Sequence, residues 1–378
     1  QQNEPGTAGL NNVTVNLVWA GTDLAFNTPD DRTYVTTTSN MGVNGQYMFW
    51  GLIPGPYKVV LPTLPANYIA TQLNIGSDVS DSDNPAGEMV MIPDPIALPL
   101  GENSTGDVPN DLFPDPANNI TIDFGLITRE FGDGPDTYGT TDDSPGDGPV
   151  HVLNPNLKLG ACADGDPDGQ PDPMAGLMTG GDDNNGGAAI DGTASTCGDD
   201  EDGIMLVSPL VPGSTATIMV TAMNMLGSNA VLQGWVDYNG DGDFADANEA
   251  LVFTNVNGGT VPSPAGLNGA KLTFVVPAGA TFTGGNAFMR FRISPAGGLT
   301  PNGPENMPFP IGEVEDYKVP LAKIGNYVWN DNNNDGIQNE PGSNGLNGTT
   351  VQLVWPGPDA DFATVVDNLT YTVVTSNM

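Results

Sequence analysis

The chain has 378 residues, of which 38% are hydrophobic, enough to fill two or three separate cores. Nine basic residues stand against 46 acidic ones, a net charge of −37 at pH 7, which excludes nucleic acid and anionic lipid as natural partners. The 50 Gly and 34 Pro, with no run of helical periodicity, argue for many short strands joined by turns.

In chain order, the first strand pattern is Val13-Thr14-Val15-Asn16-Leu17-Val18-Trp19, whose strict alternation is that of a half-buried strand. Turn-separated runs of the same kind continue to Ile120-Thr121-Ile122-Asp123-Phe124-Gly125. Residues 1–128 thus read as one β-sandwich that lacks its first strand. Residues 129–323 read as a second domain, with an Asp/Gly-rich segment at 129–205 and regular strands at 206–323. Residues 324–378 return to the first type and form the N-terminal part of another such domain. The expected fold is all-β: tandem Greek-key, immunoglobulin-like β-sandwiches with long Asp/Gly-rich loops.

The repeat is explicit. Residues 2–19 read QNEPGTAGLNNVTVNLVW and residues 338–355 read QNEPGSNGLNGTTVQLVW. The match runs on, with one inserted residue, to TYVTTTSNM ending at Met41 and TYTVVTSNM ending at Met378. The lead-in Ile324-Gly325-Asn326-Tyr327-Val328-Trp329 precedes only the second copy, and Gly42-Val43-Asn44-Gly45-Gln46-Tyr47 follows only the first. A period this long implies further copies of the repeat as partners, either in one longer chain or in neighbouring subunits that exchange strands. Export and anchoring signals are then expected outside this stretch, which contains no apolar run fit for membrane insertion.

Three stretches share a spacing of hard oxygen donors. Asp331-x-Asn333-x-Asp335-Gly336-Ile337 places side-chain oxygens at positions 1, 3 and 5, a glycine for the sharp turn at 6 and a carbonyl at 7. Glu340 follows at position 10, where an EF-hand would close with position 12. Asp237-x-Asn239-x-Asp241-Gly242-Asp243 repeats the half-loop, with Asp246 and Glu249 as closing ligands. Asp164-x-Asp166-x-Asp168-Gly169-Gln170 is a third version, with Asp172 beyond it. Calcium takes six to eight such oxygens, so Ca2+ is the expected ion; magnesium keeps its waters and rarely uses an all-protein cage. The competing reading is turn chemistry alone, because Asp, Asn and Gly favour tight turns without any metal.

Cys162 and Cys197 are the only cysteines and are expected to pair. A bridge closing a loop of that length contributes roughly 3–4 kcal/mol. The single histidine, His151, has no catalytic companion and reads as structural. No nucleophile elbow, phosphate loop or zinc motif is present, so no enzyme activity is expected. Trp19, Trp50, Trp235 and Trp355 lie in or beside strand patterns and are expected in cores. Sequons at Asn12, Asn103, Asn119, Asn347 and Asn368 offer sites for glycans.

Two resemblances sharpen this reading. The run NGQYMFWGLIPGPYKVV at 44–60 resembles the signature of Cna-B-type modules, and IGNYVWNDNNNDGIQNEPGSNGLNGTTVQLVW at 324–355 resembles the start of an SdrD B-like module. In that family acids from a later loop complete the first metal loop, which implicates Asp78, Asp81 and Asp83. Related modules carry a Lys–Asn isopeptide bond, but Lys58 sits in the wrong strand for it. In the middle region, Ile311-Gly312-Glu313-Val314-Glu315-Asp316-Tyr317 resembles the motif of GEVED domains of large secreted bacterial proteins. Both resemblances imply β-sandwiches and an extracellular, secreted or cell-surface setting. The function expected is a structural repeat of a calcium-stabilised fibre, stalk or matrix. The alternative is an adhesin that binds a glycan or a protein.

Overall fold

The computed structural model describes residues 9–65, 68–71, 85–92, 122–142, 148–163, 165–166, 168–169, 171, 200–254, 259–304, 308–341, 344–357, 359–366 and 368–376. The chain divides into two units, Gln1–Arg129 and Glu130–Met378. Both are all-β, with short 3-10 turns at Asp136–Tyr138 and Thr283–Gly285.

In the first unit, alternation places one face of each strand inward. Strands β1 (Thr14–Trp19), β2 (Arg32–Thr37), β3 (Gly55–Val60) and β5 (Glu88–Ile92) form an antiparallel sheet in the order β2-β1-β3-β5. Val15 and Leu17 of β1 and Tyr57 and Val59 of β3 point into the core, each contributing roughly 1.5–3 kcal/mol by burial. Tyr47, Phe49, Leu52, Ile122 and Phe124 pack over them. The Tyr47 hydroxyl donates to the Ile122 carbonyl at 2.8 Å, tying the closing segment to this cover. Strand β4 (Tyr68–Ala70) pairs antiparallel with β6 (Leu126–Glu130).

The second unit contains a full sandwich. One sheet is built on the long strand β10 (Thr215–Asn224), flanked by β13 (Leu267–Val275) on one side and by β8 (Leu157–Leu159) and β9 (Ile204–Leu206) on the other. The facing sheet runs β12 (Thr260–Val261), β11 (Ala230–Val236), β14 (Asn286–Ser294), β15 (Glu313–Pro320). Ile218, Val220, Leu272 and Phe274 from the first sheet meet Leu232, Met289, Phe291 and Ile293 from the second in one core.

The sandwich begins earlier than expected. The sequence reading placed it at 206–323, yet β8 and β9 supply one margin of a sheet, and β7 (His151–Val152) bridges to Ile311. The Leu157-Lys158-Leu159 triplet is too short to register as a strand among prolines and glycines, but both leucines are fully buried.

The outer face of β14 is also covered, by residues within 131–142 and 148–152. Arg290 is clamped by Asp316, Nε to Oδ1 at 2.7 Å and Nη2 to Oδ2 at 2.7 Å, and also donates to the carbonyls of Tyr138 and Pro301. Arg292 donates to His151 Nε2 at 2.9 Å and to the carbonyls of Thr300 and Val150. Burial, and then the Arg292 charge, holds His151 well below its usual range, so the ring is a neutral acceptor. His151 is structural in this setting.

The last elements, β16 (Thr350–Trp355) and β17 (Leu369–Val374), form a hairpin. Its pairing, Leu353 opposite Tyr371 and Trp355 opposite Leu369, reproduces that of β1 and β2, Leu17 opposite Tyr34 and Trp19 opposite Arg32.

Candidate metal sites

The best-formed site follows β11 directly. The strand ends at Val236 and delivers a buried Asp237 to the first loop position. Asp237 Oδ1 accepts the Gly240 N–H at 2.5 Å; Oδ2 accepts the Gly242 N–H at 3.1 Å and the Tyr138 hydroxyl at 2.7 Å. Burial and the Asp237 contact raise the Tyr138 phenol, which stays a donor. Gly240 and Gly242 have φ of +73° and +97°, and a Cβ on Gly240 would lie 2.5 Å from the Thr283 carbonyl oxygen, so position 4 requires glycine here.

Carboxylate oxygens of Asp237, Asp241 and Glu249 lie within 4.8 Å of one another. The Asn239 amide nitrogen stands between two further acids, 2.8 Å from Asp241 Oδ2 and 2.5 Å from Asp246 Oδ2. Glu249 is buried and held by the N–H groups of Tyr238 and Asp246. Its carboxyl is pushed up to about 7, first by burial and then by Asp237 and Asp246. Asp243 accepts the Ala245 N–H through its side chain, which leaves its carbonyl for position 7. An all-oxygen set this crowded with negative charge suits a hard cation.

The Asp331 loop has the same backbone on a different mount. Asp331 Oδ1 accepts the Asn334 N–H at 2.6 Å and Oδ2 accepts the Gly336 N–H at 2.9 Å, the same i+3 and i+5 bonds that Asp237 makes. Asn334 and Gly336 have φ of +59° and +73°. Asn333 and Asn339 both donate to Asp335 Oδ2. Glu340 accepts the Asn332 N–H at 3.1 Å across the loop mouth, which brings position 10 to the site, and its Oε2 has no donor. Ile337 occupies position 7 with an exposed side chain.

Of the third loop's proposed ligands, only Asp166 and Asp168 fall among the described residues. Asp164, Gln170 and Asp172 lie outside them, as do Asp78, Asp81 and Asp83. Asp168 spends Oδ1 on the N–H groups of Asp142 and Gly169, and Asp166 is buried away from solvent. Cys162 is disulfide-bonded; Cys197, the only other cysteine, lies outside the described residues. Trp235 is buried as expected, whereas Trp50 lies off any strand and is 73% exposed. Leu52, two residues on, packs on the core instead. Of the sequons, Asn12 and Asn347 are exposed, Asn368 donates to the Phe362 carbonyl, and Asn103 and Asn119 fall outside the described residues.

Sequence reasoning missed what the acids of Glu313–Asp316 do. Glu313 accepts the Leu159 N–H, Glu315 accepts the N–H groups of Asp202 and Gly203 and the Tyr317 hydroxyl, and Asp316 clamps Arg290. Glu130 in turn accepts the Val314 N–H. The alternation of Glu313 and Glu315 was a signal: two acids on one face of a central-looking strand need donors from elsewhere.

Comparison with known proteins assigns both regions. Residues 231–320 match the GEVED domain, and residues 1–107 and 322–374 match the SdrD B-like domain. No curated protein matches the chain. The chain thus carries one segment similar to the GEVED domain between two segments similar to the SdrD B-like domain.

Proposed function

We propose that this chain is a structural repeat unit of an extracellular fibre, stalk or matrix at the cell surface, braced by calcium in its acidic loops. Domains of these two types are surface-protein modules without known catalytic chemistry, and nothing in the buried His151–Arg292 pair supplies a reactive group. The observation that carries the reading is the recurrence of one loop scaffold, Asp237–Gly242 and Asp331–Gly336, in two different domain types. In both, an asparagine amide lies against the acid at position 5. Turning that amide presents its oxygen, and a cation takes the place of its nitrogen. With a net charge of −37, each bound ion also relieves repulsion within its loop.

A thermal melt in calcium and in EDTA tests this. With calcium at 100 times a dissociation constant of about 10⁻⁴ M, linkage supplies about 2.7 kcal/mol. A transition that EDTA leaves unmoved sinks the calcium brace. The second reading, an adhesin, draws on Trp50, whose exposed ring stands near exposed Met48 and Ile53 in sequence. A glycan array separates the two: selective binding lost in Trp50→Ala favours the adhesin, and no binding favours the shaft.

A further inference from the structure

The chain carries 46 acidic residues, yet residues 32–77 contain none and hold the cations Arg32 and Lys58. Copies of so acidic a chain repel one another, and they meet at least cost where acids are missing. Strand β2 opens that stretch and stands at the margin of its sheet. The acids just before it turn back into their own loop. Asp30 accepts the Thr22 N–H and the hydroxyls of Thr22 and Thr28, and Asp31 accepts the Asn27 N–H.

Hydrogen bonds fix which backbone groups of β2 are spare. Thr38, next after the strand, faces β1: its N–H donates to the Val13 carbonyl at 2.9 Å and its carbonyl accepts the Asn12 N–H at 2.7 Å. Ser39 faces the other way and exchanges two bonds with Gln46, at 2.8 and 3.1 Å. Successive residues of a strand in an antiparallel ladder direct their N–H and C=O groups to opposite sides. Thr36 and Tyr34 therefore face β1. Thr37, Val35 and Thr33 face outward, where among the described residues no backbone group meets theirs. The register with β1 is unbroken from Arg32 to Thr37, and the strand has no proline or lysine, so the usual protections of a sheet margin are missing. Thr33, Val35 and Thr37 are all exposed, Val35 to 64%.

We propose that this edge pairs antiparallel with β2 of a second copy of the chain, which joins two sheets into one. The register that uses all three outward residues puts Val35 opposite its own counterpart and Thr33 opposite Thr37 of the other copy. The pairs so formed are Val with Val and Thr with Thr, and no like charges are opposed. On the other face each Tyr34, 49% exposed, stands across from Thr36 of the other copy. The edge is self-complementary, so association closes at two copies about a two-fold axis. Strand β17 stands in the same phase against β16: Thr375 bonds to Thr349 and Gly348 as Thr38 does to Val13 and Asn12. The pattern thus belongs to the repeat, and chains with several repeats gain from pairing more than one edge. Neither a bound ion nor a fibre is needed for it.

Sedimentation of the full chain tests this. The wild type is expected to form a reversible dimer over about 10 μM to 1 mM, the range of a small interface. Val35→Lys and Val35→Glu each oppose like charges across the two-fold axis, and each is expected to weaken the dimer about fivefold or more. An equimolar mixture of the two variants is expected to restore it as a mixed dimer. A wild type that stays monomeric overturns the proposal, as do single variants that dimerise like the wild type or a mixture that stays monomeric. A dimer lost in Trp50→Ala but kept in Val35→Lys overturns it too. If a variant fails to fold, hydrogen exchange in the wild type decides. The amides of Thr33, Val35 and Thr37 are expected to slow about tenfold as the chain is concentrated, while those of Tyr34 and Thr36, already bonded to β1, hold steady. Outward amides that exchange at one rate at both concentrations overturn it. All of these results are expected to be the same in EDTA, so failure of the calcium brace leaves them unmoved.

Discussion

The Asp237 and Asp331 loops have the same residue types at the same spacing and the same backbone hydrogen bonds, yet they sit on very different supports. The first leaves a strand of a complete sandwich, with Asp237 buried, Tyr138 donating to it from the covering segment and Glu249 closing behind. The second precedes the β16–β17 hairpin, and Asp331 takes its hydrogen bonds from its own loop. In the first copy of that hairpin, Val15 and Leu17 are buried because β3 and its aromatic cover lie against them. Local sequence therefore sets the loop and the hairpin register. The support, built from distant residues, sets how firmly the ligands are held before an ion arrives, and hence how much of the fold feels it.

The largest test of that difference removes the first ligand from each loop. Asp237→Ala leaves the Tyr138 hydroxyl and two glycine N–H groups without their acceptor in a buried site, and is expected to cost about 3 kcal/mol even without calcium. Asp331→Ala is expected to leave the main thermal transition in place. Equal shifts in Tm for the two variants break the comparison.

Next in size is Glu249→Gln. The Tyr238 and Asp246 N–H groups bond different oxygens of Glu249, so the amide keeps an acceptor for only one of them, and it drops a buried charge that faces Asp237 and Asp246. Calcium affinity at this loop, read by calorimetry, is expected to fall about tenfold, or about 1.4 kcal/mol. The metal-free chain is expected to change by no more than about 1 kcal/mol, the lost N–H acceptor offsetting the removed buried charge. A large loss of metal-free stability would mean that Glu249 is a structural acceptor first and a ligand second.

His151 probes the covering segment that presents Tyr138. In the folded chain its pKa lies well below the ordinary 6.5, from burial and then the facing Arg292 guanidinium. Below pH 6.5 the unfolded chain takes up a proton that the folded chain refuses, so this contribution falls as pH falls. Between pH 7 and 5.5 the loss is roughly 1 kcal/mol. His151→Gln keeps an acceptor for Arg292 and removes the titration, so its stability is expected to fall by that much less over the same range. Parallel curves for the two proteins would show that the ring protonates inside the fold.

Much of this architecture was legible in the sequence. The strand alternation, the repeat and the spacing of both loops are local features, and the structure has strands and loop scaffolds where they stand. What escaped was non-local. Leu157–Leu159 is a strand only because β10 offers it a margin. The Glu313, Glu315 and Glu130 carboxylates find backbone donors 154, 112 and 184 residues away, separations that no motif encodes. Trp50 was expected inside because it sits in a strand-like pattern. The turn at Gly51, with φ of +74°, hands the inward place to Leu52.

The smallest effect belongs to Glu340, and it bears most directly on why the two loops differ. Its Oε1 reaches across the loop to the Asn332 N–H, while Oε2 has no donor. Glu340→Gln preserves the first contact and removes the charge. If the Asp331 loop is organised by its own Asx turns, the variant is expected to show an unchanged Tm without calcium. Only calcium binding to that loop should weaken, by a few-fold, because one carboxylate among several is lost. Titration of the Asp237→Asn background, in which the competing loop is disabled, reads this directly. Should Glu340→Gln instead lower Tm without calcium by as much as Asp237→Ala, the Asp331 loop would be a structural anchor in its own right. The contrast between a buried and an exposed mount would then have to be given up.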